Sequence, residues 1–302
     1  MKEIIDIIIK ENGSLFKDNN KIEKINIGFT NTIYNINDTY IIKICTNKNN
    51  EDKFKNEIKF YIQNKNNSLI PKLYKYSLDK KTIPYYYEII EKISGVSLYN
   101  VWHKYTEAER EIIIKQLCDA MKLIHQNKGE KYNWSDYHKT TFQKLYNKIK
   151  SLKIFNADED KLLNEAYLKY DKYLESEEFV LVHNDLHFDN IFINNNKIKI
   201  IDFERSMYAP RDFELDILYR MIRKPWKFAS EEAEKYTNIN DYKNIMFYIE
   251  KYYPELIKTP NLFKRLSIYD LNYYLKQLLE YPHLEELKND VLNAAKNIIA
   301  KE

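Results

Sequence analysis

Between positions 181 and 204 the chain reads LVHNDLHFDNIFINNNKIKIIDFE, which crowds His183, Asp185, His187, Asp189 and Asn190 together ahead of Asp202. Three chemistries compete for this stretch: a histidine metal site, a charged turn without chemistry, and a phosphoryl-transfer centre. A histidine zinc site needs a third ligand within reach, and no HExxH helix is present. Phosphoryl transfer asks for little covalent help. It needs hard oxygen ligands to hold Mg²⁺ against the phosphates and a carboxylate to accept a hydroxyl proton. Asn190 and Asp202 can supply the oxygens and Asp185 the acceptor, whereas imidazoles are poor Mg²⁺ ligands. His183 is expected to organise the loop by hydrogen bonding.

Those side chains need elements to hold them. EFVLV is a β-rich run leading into His183, and NIFIN and KIKIIDF are two more, separated by the polar turn Asn194-Asn195-Asn196. A tight antiparallel hairpin therefore sets Asn190 and Asp202 at its edges, with Asp185 in the loop before it. Upstream, KIEKINIGFTNTIYNI and DTYIIKIC read as β-rich segments joined through Asn35, Asn37 and Asp38. EDKFKNEIKFYIQN carries Phe54, Ile58 and Tyr61 at helical spacing. LIPKLYKYSL and IPYYYEIIEKI return to strand. Beyond Ser94-Gly95 the pattern is helical through EREIIIKQLCDAMKLIHQ and, after the central stretch, to the last residues. The pattern predicts an α+β chain of two lobes, a β-rich one over 1–92 and a larger, mainly helical one over 93–302, with the ligand cleft between them.

Composition narrows the function classes. The 302 residues are 44% hydrophobic and 15% aromatic, too apolar for a disordered chain. Net charge is +3 from 48 basic and 45 acidic residues, without a long basic block, so a nucleic-acid partner is not expected. Only six of the basic residues are arginine. Cys45 and Cys118 sit in apolar runs without a CxxC partner, which reads as buried free thiols in a reducing cytosol. MKEIIDIIIK reads as a first amphipathic helix rather than a signal peptide, and no run is long and apolar enough for a membrane span.

The spacing H-x-D-L-x-x-x-N followed by Asp-Phe is the catalytic-loop signature of protein-kinase-like folds. HNDLHFDN with IIDFE resembles the aminoglycoside phosphotransferase and choline kinase-like family, whose usual form is His-Gly-Asp-Leu-His-x-x-Asn. The resemblance implies a bilobal kinase-like fold, a nucleoside triphosphate (ATP or GTP) as co-substrate, and Mg²⁺ held by Asn190 and Asp202. It assigns Lys43 in YIIKIC to the α- and β-phosphates and Glu57 in FKNEIKFY to pairing with it. IGFTNTIY, with Gly28, Thr30 and Asn31, fits the nucleotide-positioning loop, and EKISG, with Glu91 and Ile93, fits the hinge. MKLIHQ resembles the family's helix ending in Leu-x-His; His125 there is expected to pack rather than to catalyse. The match covers most of residues 27–220. Asn184 stands where the family has glycine, so the loop backbone must tolerate a side chain, and Asn is among the residues that enter the left-handed region most easily. Asp202-Phe203-Glu204 lacks the protein-kinase glycine, and the phosphate loop has one glycine rather than three. These departures, and the absence of an Ala-Pro-Glu element, favour a small-molecule kinase over a protein kinase.

Substrate class is the least determined. Asp212, Glu214, Asp216 and Glu234 form acidic positions that could accept ammonium hydrogen bonds from a polycationic aminoglycoside, although Asp212 could equally cap a helix. Trp226, Tyr252 and Tyr253 could form a cation–π cage for a quaternary amine such as choline. Three readings follow: an aminoglycoside O-phosphotransferase; a metabolic kinase for choline, a sugar or an amino-acid alcohol; and a non-catalytic pseudokinase. The first is expected, as a cytoplasmic monomer acting on small molecules.

Overall fold

A computed structural model describes residues 1–17, 19–25, 31–175, 178–229 and 231–301. The chain divides into two compact units. The first comprises residues 1–123 and 185–206, the second 124–184 and 207–302. The strip 185–206 thus belongs with the N-terminal sheet rather than with the helical remainder.

Among the described residues ten strands lie along the chain: β1 (Ile22–Ile25), β2 (Thr32–Ile36), β3 (Tyr40–Cys45), β4 (Leu73–Ser77), β5 (Tyr86–Glu91), β6 (Val96–Ser97), β7 (Phe179–Val182), β8 (Ile191–Asn194), β9 (Lys197–Ile200) and β10 (Met207–Pro210). In the first unit an antiparallel sheet has the order β1-β2-β3-β5-β4, and a smaller one the order β6-β8-β9. Two hairpins use the same device. Asn37 and Asp38 (φ 55° and 56°) turn β2 into β3, while Asn195 and Asn196 (φ 48° and 60°) turn β8 into β9. Paired left-handed residues match the right-handed twist of the flanking strands, and Asn and Asp tolerate that backbone. Asn35, expected in the first turn, lies within β2, because the left-handed pair begins two residues later.

Isoleucines supply the core of this unit. Ile5 and Ile8 of the first helix (Lys2–Glu11) pack with Ile36, Ile42, Ile44 and Ile89 of the sheet. The helix Glu51–Gln63 follows β3 and buries Phe54, Ile58, Phe60 and Tyr61 on one face. Glu57 shares that face through its i, i+3 and i+4 neighbours, so a carboxylate is carried inside with the apolar stripe. Gly95, just beyond β5, has φ 113°, and a Cβ there would lie 2.3 Å from the carbonyl oxygen of Ile193. Only glycine fits this approach. Trp102 packs against Phe188 with ring centroids 4.8 Å apart, and Ser97 Oγ donates to Asp189 Oδ1 at 2.7 Å. These contacts bind the strip 185–206 into the first unit.

In the second unit β7 pairs with β10, and helices dominate. The helix Trp134–Lys150 starts at an Asn133 cap, and Ala157–Tyr167 starts at a capping box between Asn156 and Glu159. Leu262–Glu280 packs against Trp134–Lys150 and against Glu285–Ile299. It buries Arg265, Asp270 and Asn272 along with its apolar residues. Cys45 and Cys118 are free and buried. No helix among the described residues is long and apolar enough to cross a membrane.

Candidate active site

The site is built on the first unit. Lys43 stands in the middle of β3, and its Nζ donates to Glu57 Oε1 at 2.6 Å. Tyr61 OH, one turn along the same helix, donates to that oxygen at 3.3 Å. Burial alone would lower the Lys43 pKa, but the carboxylate charge around it, that of Glu57 first, outweighs it and holds the ammonium well above the ordinary lysine value. Lys43 is therefore a fixed cation, placed by strand and helix rather than by a loop.

The catalytic loop is assembled from backbone hydrogen bonds. The His187 N–H donates to the Asp185 carbonyl at 3.1 Å, and the Asn190 N–H to the His187 carbonyl at 2.9 Å. Asn190 Nδ2 donates to the Asp185 carbonyl at 2.9 Å, which fixes the amide and turns Oδ1 into its available ligand atom. The Ile201 N–H donates to the Asn190 carbonyl at 2.9 Å, so the β8–β9 hairpin returns Asp202 beside Asn190. Asp202 has φ 67° and is half-buried. Its neighbour Phe203 stacks on Phe60, with centroids 3.8 Å apart, and meets Tyr61 edge-on. Asn56 Nδ2 donates to the Ser206 carbonyl at 2.5 Å. The Asp202 segment is thus locked to the helix that carries Glu57. Asp185 receives Arg205 Nη1 at 3.2 Å on Oδ1.

Asn184 adopts φ 59°, the left-handed backbone that glycine would take, and its Nδ2 lies 3.3 Å from Met207 Sδ. Asn184→Gly is expected to change stability by less than about 0.5 kcal/mol, whereas Asn184→Val costs about 1–2 kcal/mol because a β-branched residue resists this backbone. Urea midpoints of the two variants check the order; equal midpoints would sink it.

Other expected site residues fare differently. Gly28 and Thr30 lie outside the described residues, and Asn31 is half-buried just before β2. The Glu91 carboxylate is bound by Lys199 Nζ at 2.5 and 2.6 Å, and its backbone N–H donates to the Lys72 carbonyl at 2.8 Å. Ile93 lies half-buried past the end of β5.

The acidic positions require correction. Asp212, 1% exposed, is gripped by Arg265 Nε and Nη2 at 2.7 and 2.8 Å and accepts from Tyr269 OH at 2.7 Å. Glu214, 2% exposed, accepts the His183 backbone N–H at 3.0 Å and bonds His125 Nε2 at 3.0 Å. Burial raises the Glu214 pKa, yet the hydrogen bond and charge of His125, with His183, bring it below the usual carboxylate value. Asp216 is paired with Arg220, with Oδ2 2.6 Å from Nη2. Arg265, His125 and Arg220 bind these three internally, so their carboxylates hold the second unit together. Glu234 alone of the four is exposed. The aromatic cage does not form as expected either: Tyr253 is buried, with its hydroxyl 2.8 Å from His125 Nδ1. His125 is thereby a packing residue.

Sequence reasoning missed Glu88. It is fully buried on β5, directly opposite Lys43, and its Oε1 lies 3.9 Å from Nζ. The signal was available as a lone carboxylate inside the strand run YYYEII. Among the described residues no group of three or more His, Cys, Asp or Glu is placed to hold a metal. The pair Asn190 and Asp202 offers instead an amide oxygen and a carboxylate, an all-oxygen set that suits Mg²⁺.

A five-stranded sheet with a lysine–glutamate pair, joined to a loop carrying Asp185, Asn190 and Asp202, defines a kinase-like phosphotransferase. The model of the phosphotransferase enzyme family (APH) matches residues 21–248, and the chain belongs to that family. It is an enzyme of the small-molecule kinase type. No curated protein matches it in sequence. Among solved structures it is similar to the ADP-bound aminoglycoside phosphotransferase APH(2'')-Ib, at 18% identity and TM-score 0.68, covering 98% of this chain and 99% of that one. It is also similar to the streptomycin–ATP–APH(2'')-IIa ternary complex, at 17% identity and TM-score 0.70, covering 97% and 98%. The GDP complex of an aminoglycoside 2'-phosphotransferase-IIIa variant aligns at 11% identity and TM-score 0.63, covering 98% and 96%. At these identities the likeness is one of fold.

Proposed function

We propose that the protein transfers the γ-phosphoryl group of ATP or GTP to a hydroxyl of an aminoglycoside, with residues 1–92 binding the nucleotide and 93–302 carrying the catalytic loop and substrate pocket. The observation that carries the transfer chemistry is the placement, in one compact unit, of the Lys43–Glu57 pair and the hydrogen-bonded loop from Asp185 through Asn190 to Asp202. Lys43 holds the α- and β-phosphates. Glu57 keeps its ammonium pointed at them. Asn190 Oδ1 and the Asp202 carboxylate would hold Mg²⁺, which supplies charge neutralisation at the phosphates. Asp185 orients the acceptor hydroxyl and takes its proton. Support for the aminoglycoside comes from the fold likeness to APH(2'')-Ib and APH(2'')-IIa.

A second reading, a kinase of choline, a sugar or an amino-acid alcohol, gains from the internal pairing of Asp212, Glu214 and Asp216. Without them the argument for a polycation rests on few carboxylates. Purified protein with Mg²⁺ and ATP or GTP is expected to show turnover stimulated by at least one aminoglycoside, and its expression to protect a susceptible host. If turnover responds only to the simpler alcohols, the second reading replaces the first; binding without any turnover would identify a pseudokinase.

A further inference from the structure

Lys43 is flanked by two buried carboxylates rather than one. Glu57 holds Nζ at 2.6 Å, and Glu88 Oε1 lies 3.9 Å from the same nitrogen. Strand register dictates the second: Lys43 of β3 and Glu88 of β5 are direct antiparallel partners, so their side chains leave the sheet on one face. Both carboxylates are 0% exposed. Neither oxygen of Glu88 has a hydrogen-bond partner among the described residues, and Glu57 Oε2 has none. A buried carboxyl with no hydrogen bond costs stability that an isoleucine, the commonest residue of this core, would not. Fold alone gives no reason for Glu88.

We propose that Glu88 is a positioning residue, a reserve anchor that captures the Lys43 ammonium when the charge of Glu57 is lost. The proposal rests on the reading of Lys43 as the phosphate-holding residue. The groups facing Glu88 are Lys43 from β3, Glu57 and Tyr61 from the helix Glu51–Gln63, and Asp202. Burial first, and the charge of Glu57 second, push the Glu88 carboxyl well above the usual range, so it keeps its proton while Glu57 is ionised beside it. Neutralising Glu57 removes that second cause. Glu88 then releases its proton to water and closes on the ammonium.

The test is a double-mutant cycle of Glu57→Gln and Glu88→Gln, read in Mg²⁺–ADP affinity by titration calorimetry and in nucleotide turnover. Glu57→Gln is expected to lose about tenfold and Glu88→Gln about threefold, but the pair about 10³-fold, far beyond the product of the singles. The Glu57→Gln variant is also expected to regain affinity as pH rises, because the Glu88 carboxyl, held above the usual range by burial, ionises only then. This second reading decides the matter if the double variant fails to fold. An additive cycle, or a Glu57→Gln affinity that follows the wild-type pH profile, overturns the proposal. Lys43→Met separates the two levels. Undiminished affinity in that variant defeats the phosphate role and the reserve anchor together, while lost affinity beside an additive cycle defeats only the anchor.

Discussion

Asp185→Ala is expected to lower kcat for phosphoryl transfer by about 10²–10⁴-fold, the usual contribution of a positioned general base. Nucleotide affinity is expected to stay within about threefold of wild type, because the lost interaction is with the acceptor hydroxyl and not with the phosphates. The reason lies in how the loop is held. The scaffold at position 185 is its backbone carbonyl, which accepts from Asn190 Nδ2 and from the His187 N–H. Those bonds survive truncation of the side chain, so the amide that would serve Mg²⁺ keeps its orientation. The carboxylate disappears, along with its contacts to His187 Nε2 at 4.0 Å and to Arg205, which is itself well exposed and so worth little to folding. Steady-state kinetics with a phosphorylated substrate and calorimetry with Mg²⁺–ADP measure the two quantities separately. Activity equal to wild type would remove Asp185 from its role. A parallel loss of nucleotide affinity would instead show that the loop had collapsed.

That separation of backbone scaffold from side-chain chemistry also marks how far the sequence could be read. Residues close in sequence were legible. Asn190 and Asp202 are joined by an eleven-residue hairpin whose turn residues announce it, and Lys43 and Glu57 are linked by one strand end and the following helix. Alternation and turn residues announce the hairpin, whereas the Lys43–Glu57 pairing was implied by the family resemblance. Glu88 was not legible in the same way. Its meaning depends on the β3–β5 register, with helix Glu51–Gln63 and β4 intervening in the chain. Asp212 and Glu214 show the converse: their acidic character was plain, but their internal partners, Arg265 and His125, lie 53 and 89 residues away. A carboxylate and its neutralising partner cannot be matched from spacing at that range, so an internal ion pair reads as a binding surface. Asn35 and the pair Asn37-Asp38 mark the local limit, since asparagine favours turns yet is accepted in β2 when its side chain finds Glu23 and Asp38.

The Asp212–Arg265 pair carries the largest stability prediction. Arg265→Ala is expected to destabilise the protein by about 3–5 kcal/mol, since it leaves a buried carboxylate without its cation. The guanidinium uses its planar fork fully: Nε and Nη2 meet the two Asp212 oxygens, and Nη1 donates to the carbonyls of Tyr173 and Glu175 at 2.8 and 3.0 Å. Arg265→Lys is therefore no rescue, because one ammonium cannot reproduce both the bidentate contact and the carbonyl bonds. Tyr269→Phe should cost only about 2 kcal/mol, the net worth of two hydrogen bonds, the one to Asp212 and the one Tyr269 OH accepts from Trp134 Nε1, since Arg265 still compensates the charge. The double replacement Asp212→Leu with Arg265→Met is expected to recover most of the loss, because removing both charges abolishes the uncompensated one. Urea midpoints followed by circular dichroism give this order directly. An Arg265→Ala midpoint matching that of Tyr269→Phe would mean that Asp212 finds water or another cation when Arg265 is gone, and Asp212 would then regain its claim to face a ligand.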